Sequence, residues 1–294
     1  MCRKTYRRQA GIPSISSILR MKLCRRASEL AGFRGTVGFV PTMGALHAGH
    51  LSLVGECRRA CDTAVVSIFV NPTQFNDPKD LENYPRTEEA DLKLLEAAGV
   101  DFVFAPTVEE IYPEPDTRVF DFGGLDRVME GERRPGHFNG VGQVVSRLFD
   151  IVKPNKAFFG EKDFQQLAII RHMVRGLSLP IEIVGCPIVR DTDGLARSSR
   201  NVLLTPEHRR AAPRIYEVLS DAAVSLRGKV PVAEAKRLIA ERIDANPLLE
   251  TEYIEIASAE TLQPASEWGR AAGDLRCFAA VRAGTVRLID NVAI

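Results

Sequence analysis

The sequence has almost no net charge: 39 lysines and arginines stand against 38 aspartates and glutamates, leaving +1 at pH 7 over 294 residues. That balance argues against bulk nucleic-acid binding, although basic residues can still cluster locally. No apolar run approaches the roughly 20 residues that a membrane span needs, and the N-terminus lacks the hydrophobic core of a secretory signal. The expected location is therefore cytoplasmic, with no membrane partner. Two familiar phosphate signatures are missing as well: there is no G-x-x-x-x-G-K-[ST], and no G-x-G-x-x-G follows the first strand. Internal repeats and low-complexity segments are absent. Cysteine is sparse and scattered, at Cys2, Cys24, Cys57, Cys61, Cys186 and Cys277, which suits reduced thiols better than a disulfide framework. Cys57 and Cys61 lie four apart on a predicted helix, but no second Cys/His pair is nearby, so packing is preferred to a zinc site.

What is present is an ordinary globular composition, 45% apolar and 26% charged, long enough for two domains. Residues 1–12 carry Arg3, Lys4, Arg7 and Arg8 without apolar periodicity and read as a frayed arm or an upstream extension. A helical pattern from Ile15 to Ala31 leads into a strand, Thr36–Val40. A helix opening near Gly49 runs to about Ala60, and Thr63–Val70 is a nearly continuous apolar strand of the kind covered on both faces. The spacing then predicts a helix over Thr87–Ala98, a strand at Asp101–Ala105, a helix over Gly140–Val152, a strand near Ala157–Phe159, a helix over Asp163–Arg175 and a strand at Ile181–Val184. This alternation implies a doubly wound, Rossmann-like parallel sheet over residues 1–188. After Arg190 the order changes. A helix from Pro206 towards Leu226, another over Val232–Ile243, and strands at Tyr253–Ala257, Arg276–Val281 and Val286–Asp290 imply a smaller α+β domain over residues 189–294, placed to act as a lid.

The chemistry-bearing segments follow the strands, where open parallel sheets bind their ligands. In Val37–His50 an apolar run breaks at Pro41 and Gly44, then delivers His47 and His50 where a helix should begin. Unpaired amides and the positive helix end both favour an anion there, and two imidazoles add donors to a phosphate whose charge grows in a transition state. Phe69–Phe75 places the Asn71 and Gln74 amides at the next strand end, suited to a small substrate with hydroxyls and a carboxylate. Phe158–Gln166 repeats the glycine-then-helix arrangement with Lys162 as a mobile charge. Asp163 also fits an N-cap, and Gln165 and Gln166 cannot both face one pocket because helical neighbours point about 100° apart. Gly194–Asn201 offers hydroxyls and a guanidinium to a polyphosphate. Arg133–Phe138 is a fourth basic loop, either a lid or a solvated charge run.

Together PTMGALHAGH, FVNPTQF, FFGEKDFQQL and DGLARSSRN resemble the pantothenate synthetase family, in the same order and over roughly Val37 to Leu204. The resemblance implies a HIGH-type nucleotidyltransferase fold, a homodimer, and a ligase that joins pantoate to β-alanine using ATP and Mg²⁺ through a pantoyl-adenylate, releasing pyrophosphate and then AMP. It implies ATP contacts from Met43, Gly44, Ala45, Leu46, His47, Ala48, Gly49 and His50, from Gly160, Glu161, Lys162 and Asp163, and from Val189, Arg197, Ser198, Ser199 and Arg200. His47, His50, Lys162 and Ser198–Arg200 supply alignment and charge stabilisation. By the same resemblance Gln74 and Gln166 are expected to hold pantoate, Gln74 also to meet β-alanine, and Pro41, Thr42 and Asn71 to support them. The resemblance thus selects Gln166 over Gln165. Arg197 stands where Met or Leu often precedes Ser-Ser-Arg, so its side chain is expected to point to solvent. Asp91 is a candidate Mg²⁺-side carboxylate, weighed against a solvent-facing helix position. The alternatives are another nucleotidyltransferase with a phosphate-bearing acceptor, and a nucleotide-sensing module, which would not need His47, His50 and Lys162 together.

Overall fold

The computed structural model describes residues 21–76, 78–269, 271 and 273–294. Six strands form one sheet: β1 Lys22–Cys24, β2 Val37–Thr42, β3 Thr63–Ile68, β4 Phe102–Phe104, β5 Lys156–Gly160 and β6 Glu182–Cys186, in the order β1-β4-β3-β2-β5-β6. Every pair is parallel. Alternate residues of one strand point to opposite faces, and β2 shows both faces covered. Phe39 packs with Phe149, Leu167 and Ile170 on one side. Val40 packs with Val54, Val66 and Phe158 on the other. The chain winds outward from β2 in one direction through β3 and β4, then returns to add β5 and β6 on the other flank. This reversal opens a crevice at the carboxyl ends of β2 and β5.

The second sheet is antiparallel, β7 Glu250–Ser258, β8 Leu275–Ala283 and β9 Val286–Ala293. Helices Arg214–Ser225 and Val232–Asp244 cover it through a separate core of Leu219, Ile239, Ile256 and Val281. The two units are not independent, since Ala257, Leu262 and Phe278 belong to the apolar cluster built around Phe39.

Three expectations about elements need correction. The helical pattern read over Ile15–Ala31 is not a helix where it is described: Lys22–Cys24 is an edge strand beside β4, followed by a short 3₁₀ turn at Ala27–Glu29. Tertiary pairing overrode the local pattern there, and residues 1–20, with the arm read at 1–12, lie outside the described residues. The helix from Pro206 is two helices, Pro206–Ala211 and Arg214–Ser225, separated at Pro213, which has no N–H to continue the ladder. The helix expected at Gly140 begins at His137 because Gly136, at φ 81°, turns the chain into it.

Candidate active site

The crevice contains a cavity of about 230 Å³ whose walls come from all four motifs. Pro41, Thr42, Met43, His47, Gly49 and His50 line it from β2, Asn71 and Gln74 from beyond β3, and Gly160, Lys162, Asp163 and Gln166 from beyond β5. Val189, Arg197, Ser198, Ser199 and Arg200 close it from the segment after β6. Val141, Val144, Val145 and Leu148 give it an apolar wall.

The histidine turn is held from within. Thr42 Oγ1 donates to the Ser67 carbonyl at 2.6 Å and accepts from the Gly44 N–H at 3.2 Å. Gly44 and Ala45 then take left-handed conformations, φ 78° and 49°, and for Ala45 that costs energy that neighbouring contacts must offset. Asp91 makes those contacts. Its carboxylate, 1% exposed, accepts from Ala45 N–H at 2.9 Å, Leu46 N–H at 2.8 Å and the Thr87 hydroxyl at 3.2 Å. Asp91 is therefore neither solvent-facing nor free to ligate a metal; it clamps the turn.

Several of the amides expected to face an anion are likewise engaged inside the turn. His47, the N-cap of helix Ala48–Ala60, accepts the Gly49 N–H on Nδ1 at 3.1 Å, and His50 Nδ1 accepts the His47 N–H at 3.4 Å. Glycine is required at 49, because a Cβ there would lie 2.8 Å from His47 Cε1. With both Nδ1 atoms accepting, each ring carries its proton on Nε2. Burial, then the charges of Lys162 and Arg197, holds the His47 pKa down at about 4. Burial, then His47 and Lys162, holds His50 at about 3. Both rings are neutral at pH 7, and their Nε2–H groups are donors that this turn can offer to a ligand.

Beyond β3, Asn71 is 1% exposed. Its Nδ2 donates to the Gly140 carbonyl and to Gln74 Oε1, both at 3.1 Å, while Tyr112 donates to its Oδ1 at 2.9 Å. The Gln74 NH₂ is thereby turned towards Met43 Sδ, 3.1 Å away. A thioether is a weak acceptor, so this contact costs little to exchange for a ligand oxygen. Gln166 faces the cavity, as the resemblance selected. Gln165 is 5% exposed and fully engaged, accepting the Glu130 N–H and donating to the Leu125 and Val128 carbonyls. It is a strut for the segment that leads into the basic loop.

Other expected ligand contacts divide. Gly44, Ala45, Leu46 and Ala48 build the turn and are not in the cavity wall. Glu161 turns away, towards Arg276 at 3.4 Å. Asp163 makes no side-chain cap bond to the helix that follows it. Arg197 does not simply point to solvent; it pairs with Asp191 at 2.6 Å at the cavity edge. Arg200 pairs with Asp80 at 3.1 Å, and Ser199 Oγ lies 3.4 Å from the Tyr84 hydroxyl. Ser198, Ser199 and Arg200 thus lie in the cavity wall.

Sequence reading missed Asp80, inside the five-residue helix Pro78–Glu82, and Tyr84 just beyond it, because an element that short has no periodic pattern to place them. It also left the basic loop undecided. Arg134 and His137 are not solvated: Arg134 Nη1 meets His137 Nε2 at 3.2 Å, and His137 Nδ1 donates to the Gln74 carbonyl at 2.7 Å. Burial, then Arg134, lowers the His137 pKa to about 4. Among the described residues, no helix is long and apolar enough to cross a membrane.

Comparison with known proteins bears on this geometry. A family model described as pantoate-beta-alanine ligase matches residues 15–293. A curated pantothenate synthetase from Porphyromonas gingivalis is 54% identical over 259 residues, covering 88% of this chain and 92% of that protein. The crystal structure of pantothenate synthetase from Thermus thermophilus superposes with a TM-score of 0.87 at 49% identity, over 92% of this chain and 98% of that one. The pantoate-beta-alanine ligase of Francisella tularensis, complexed with beta-gamma ATP and beta-alanine, gives a TM-score of 0.78 at 34% identity over 93% and 97%.

Proposed function

The chain belongs to the pantoate-beta-alanine ligase family, and from that premise we propose that it forms pantothenate in two steps through an enzyme-held pantoyl-adenylate. The observation that carries the reading is the convergence of His47, His50, Lys162 and Ser198–Arg200 on one cavity, together with Gln74 and Gln166.

In the first step a pantoate carboxylate oxygen attacks the α-phosphorus of ATP. The bond to the β-phosphate oxygen breaks, and pyrophosphate leaves with the electron pair. The carboxylate is already ionised at pH 7, so the step needs alignment and charge stabilisation more than a base. Neutral His47 and His50 donate through Nε2–H to the developing phosphate charge, and Lys162 adds a mobile cation. Gln74 and Gln166 hold pantoate oxygens, while Val141, Val144 and Val145 receive its apolar carbon atoms. In the second step the neutral amine of β-alanine attacks the acyl carbon, the acyl C–O bond breaks, AMP departs with the electron pair, and the nitrogen releases one of its protons to solvent. The Francisella complex with beta-gamma ATP and beta-alanine supports the same pair of ligands here.

Among the described residues, no group of three His, Cys, Asp or Glu could hold a metal. In this reading Mg²⁺ would arrive on the ATP phosphates, and Asp163, a carboxylate in the cavity wall, is the residue that would help hold it. Bound in that way, it would neutralise phosphate charge. Residues 189–294 serve in this reading as the second unit of a cytoplasmic homodimer's protomer.

Labelled pyrophosphate should exchange into ATP when pantoate is present and β-alanine is absent. Exchange that needed β-alanine from the outset would rule out a free-standing adenylate.

A further inference from the structure

The chain's last strand reaches the loop that carries Lys162. Asn291, on β9 and 2% exposed, donates through Nδ2 to the main-chain carbonyls of Glu161 and Lys162, both at 3.0 Å. Its Oδ1 accepts from Arg276 Nε on β8 at 2.6 Å. The orientation of the amide is unambiguous, because carbonyls only accept and a guanidinium only donates. Arg276 in turn reaches Glu161 at 3.4 Å and lies 4.2 Å over the Phe164 ring. Next in sequence, Asp290 holds Arg190 through two contacts of 2.6 and 2.8 Å and accepts the Asn291 N–H. Arg190 pairs by a β-bridge with Ala196, just before the Arg197–Arg200 wall.

We infer that Asn291 is a positioning residue for Lys162, a side chain of the second unit that fixes the backbone from which the lysine projects. The inference rests on the reaction read above and adds a role for the small antiparallel sheet. At this point the sheet is latched to the phosphate side of the cavity, since two consecutive residues of β9 hold two of its walls. Glu161–Asp163 is a three-residue 3₁₀ turn whose N-cap, Gly160, supplies no side-chain bond, so the Asn291 amide supplies a fixed point that the turn itself lacks. A catalytic group displaced by about 1 Å loses up to about 10²-fold in rate.

Asn291→Asp tests this with little change in volume. It keeps an acceptor for Arg276 and replaces the two donations to Glu161 and Lys162 with an oxygen that repels both carbonyls. Turnover at saturating ATP and pantoate should fall about tenfold or more, with the pantoate KM within about twofold of the parent and the melting temperature recorded as a control. In a Lys162→Ala background the same substitution should cost almost nothing further, because the group being positioned is gone. If Asn291→Asp does not fold, Asn291→Ser, with a hydroxyl for one carbonyl, should show an intermediate loss. Turnover within about twofold of the parent, or an equal fold-loss with and without Lys162, would overturn the inference. Both pyrophosphate exchange and pantothenate formation are read. Absent exchange in the parent would count against the adenylate alone, and pantothenate formation would still decide the role of Asn291.

Discussion

Lys162→Ala and His50→Ala are each expected to lower turnover on the order of 10²–10³ at saturating substrates, with the fold intact. The size follows from where the groups stand. The His50 ring is held by its Nδ1 contact to the His47 amide, 4.1 Å from the His47 ring between centroids, and neither ring carries a charge at pH 7. In the proposed reaction its Nε2–H would therefore meet phosphate charge without first reorganising or losing a proton. Lys162 lines the same cavity from beyond β5, its Nζ in a long ion pair with Asp163 at 3.9 Å, so its cation is held at the cavity wall without a close hydrogen bond to that carboxylate. Removing either leaves an anionic transition state with fewer preorganised donors, and the loss should fall on kcat more than on the KM for pantoate. Near-normal turnover in both variants would remove these residues from the chemistry.

The second large effect separates two neighbouring glutamines. Gln166→Ala should raise the pantoate KM by roughly one to two orders of magnitude, since a substrate oxygen buried without its amide partner costs about 1–3 kcal/mol. Melting should change little. Gln165→Ala should do the reverse. Considered from the sequence as a residue on another helix face, it would be close to neutral, yet its amide joins the Glu130 N–H to the Leu125 and Val128 carbonyls. Its removal leaves buried backbone groups unpaired and should lower stability by about 1–3 kcal/mol. Thermal melting beside pantoate titration checks both, and a larger KM effect from Gln165→Ala than from Gln166→Ala would contradict the assigned helix register.

The parallel sheet was legible in the sequence because its strands are buried on both faces and read as apolar runs, Thr63–Val66 being the clearest. The site was legible because its donors follow those strands directly. Edge strand β1 was not, since three residues paired only to β4 leave no pattern of their own. Asp91 illustrates a second limit. An aspartate on a helix shows its type but not its partner, and only the fold brings its carboxylate to the left-handed Ala45. Asn291 lies 129 residues from Lys162, a separation across which local periodicity carries no information. Gly44 and Gly49 were visible as a turn, but the use of their N–H groups, inside the turn and not towards a ligand, depends on side-chain geometry.

The central claim is that a pantoate oxygen bonds to the α-phosphorus of ATP before β-alanine reacts. Pantoate labelled with ¹⁸O in its carboxylate tests it directly when the AMP formed alongside pantothenate is analysed by mass spectrometry. One labelled oxygen per AMP is the expected result, because acyl C–O cleavage leaves that oxygen on phosphorus; AMP free of label would contradict the account.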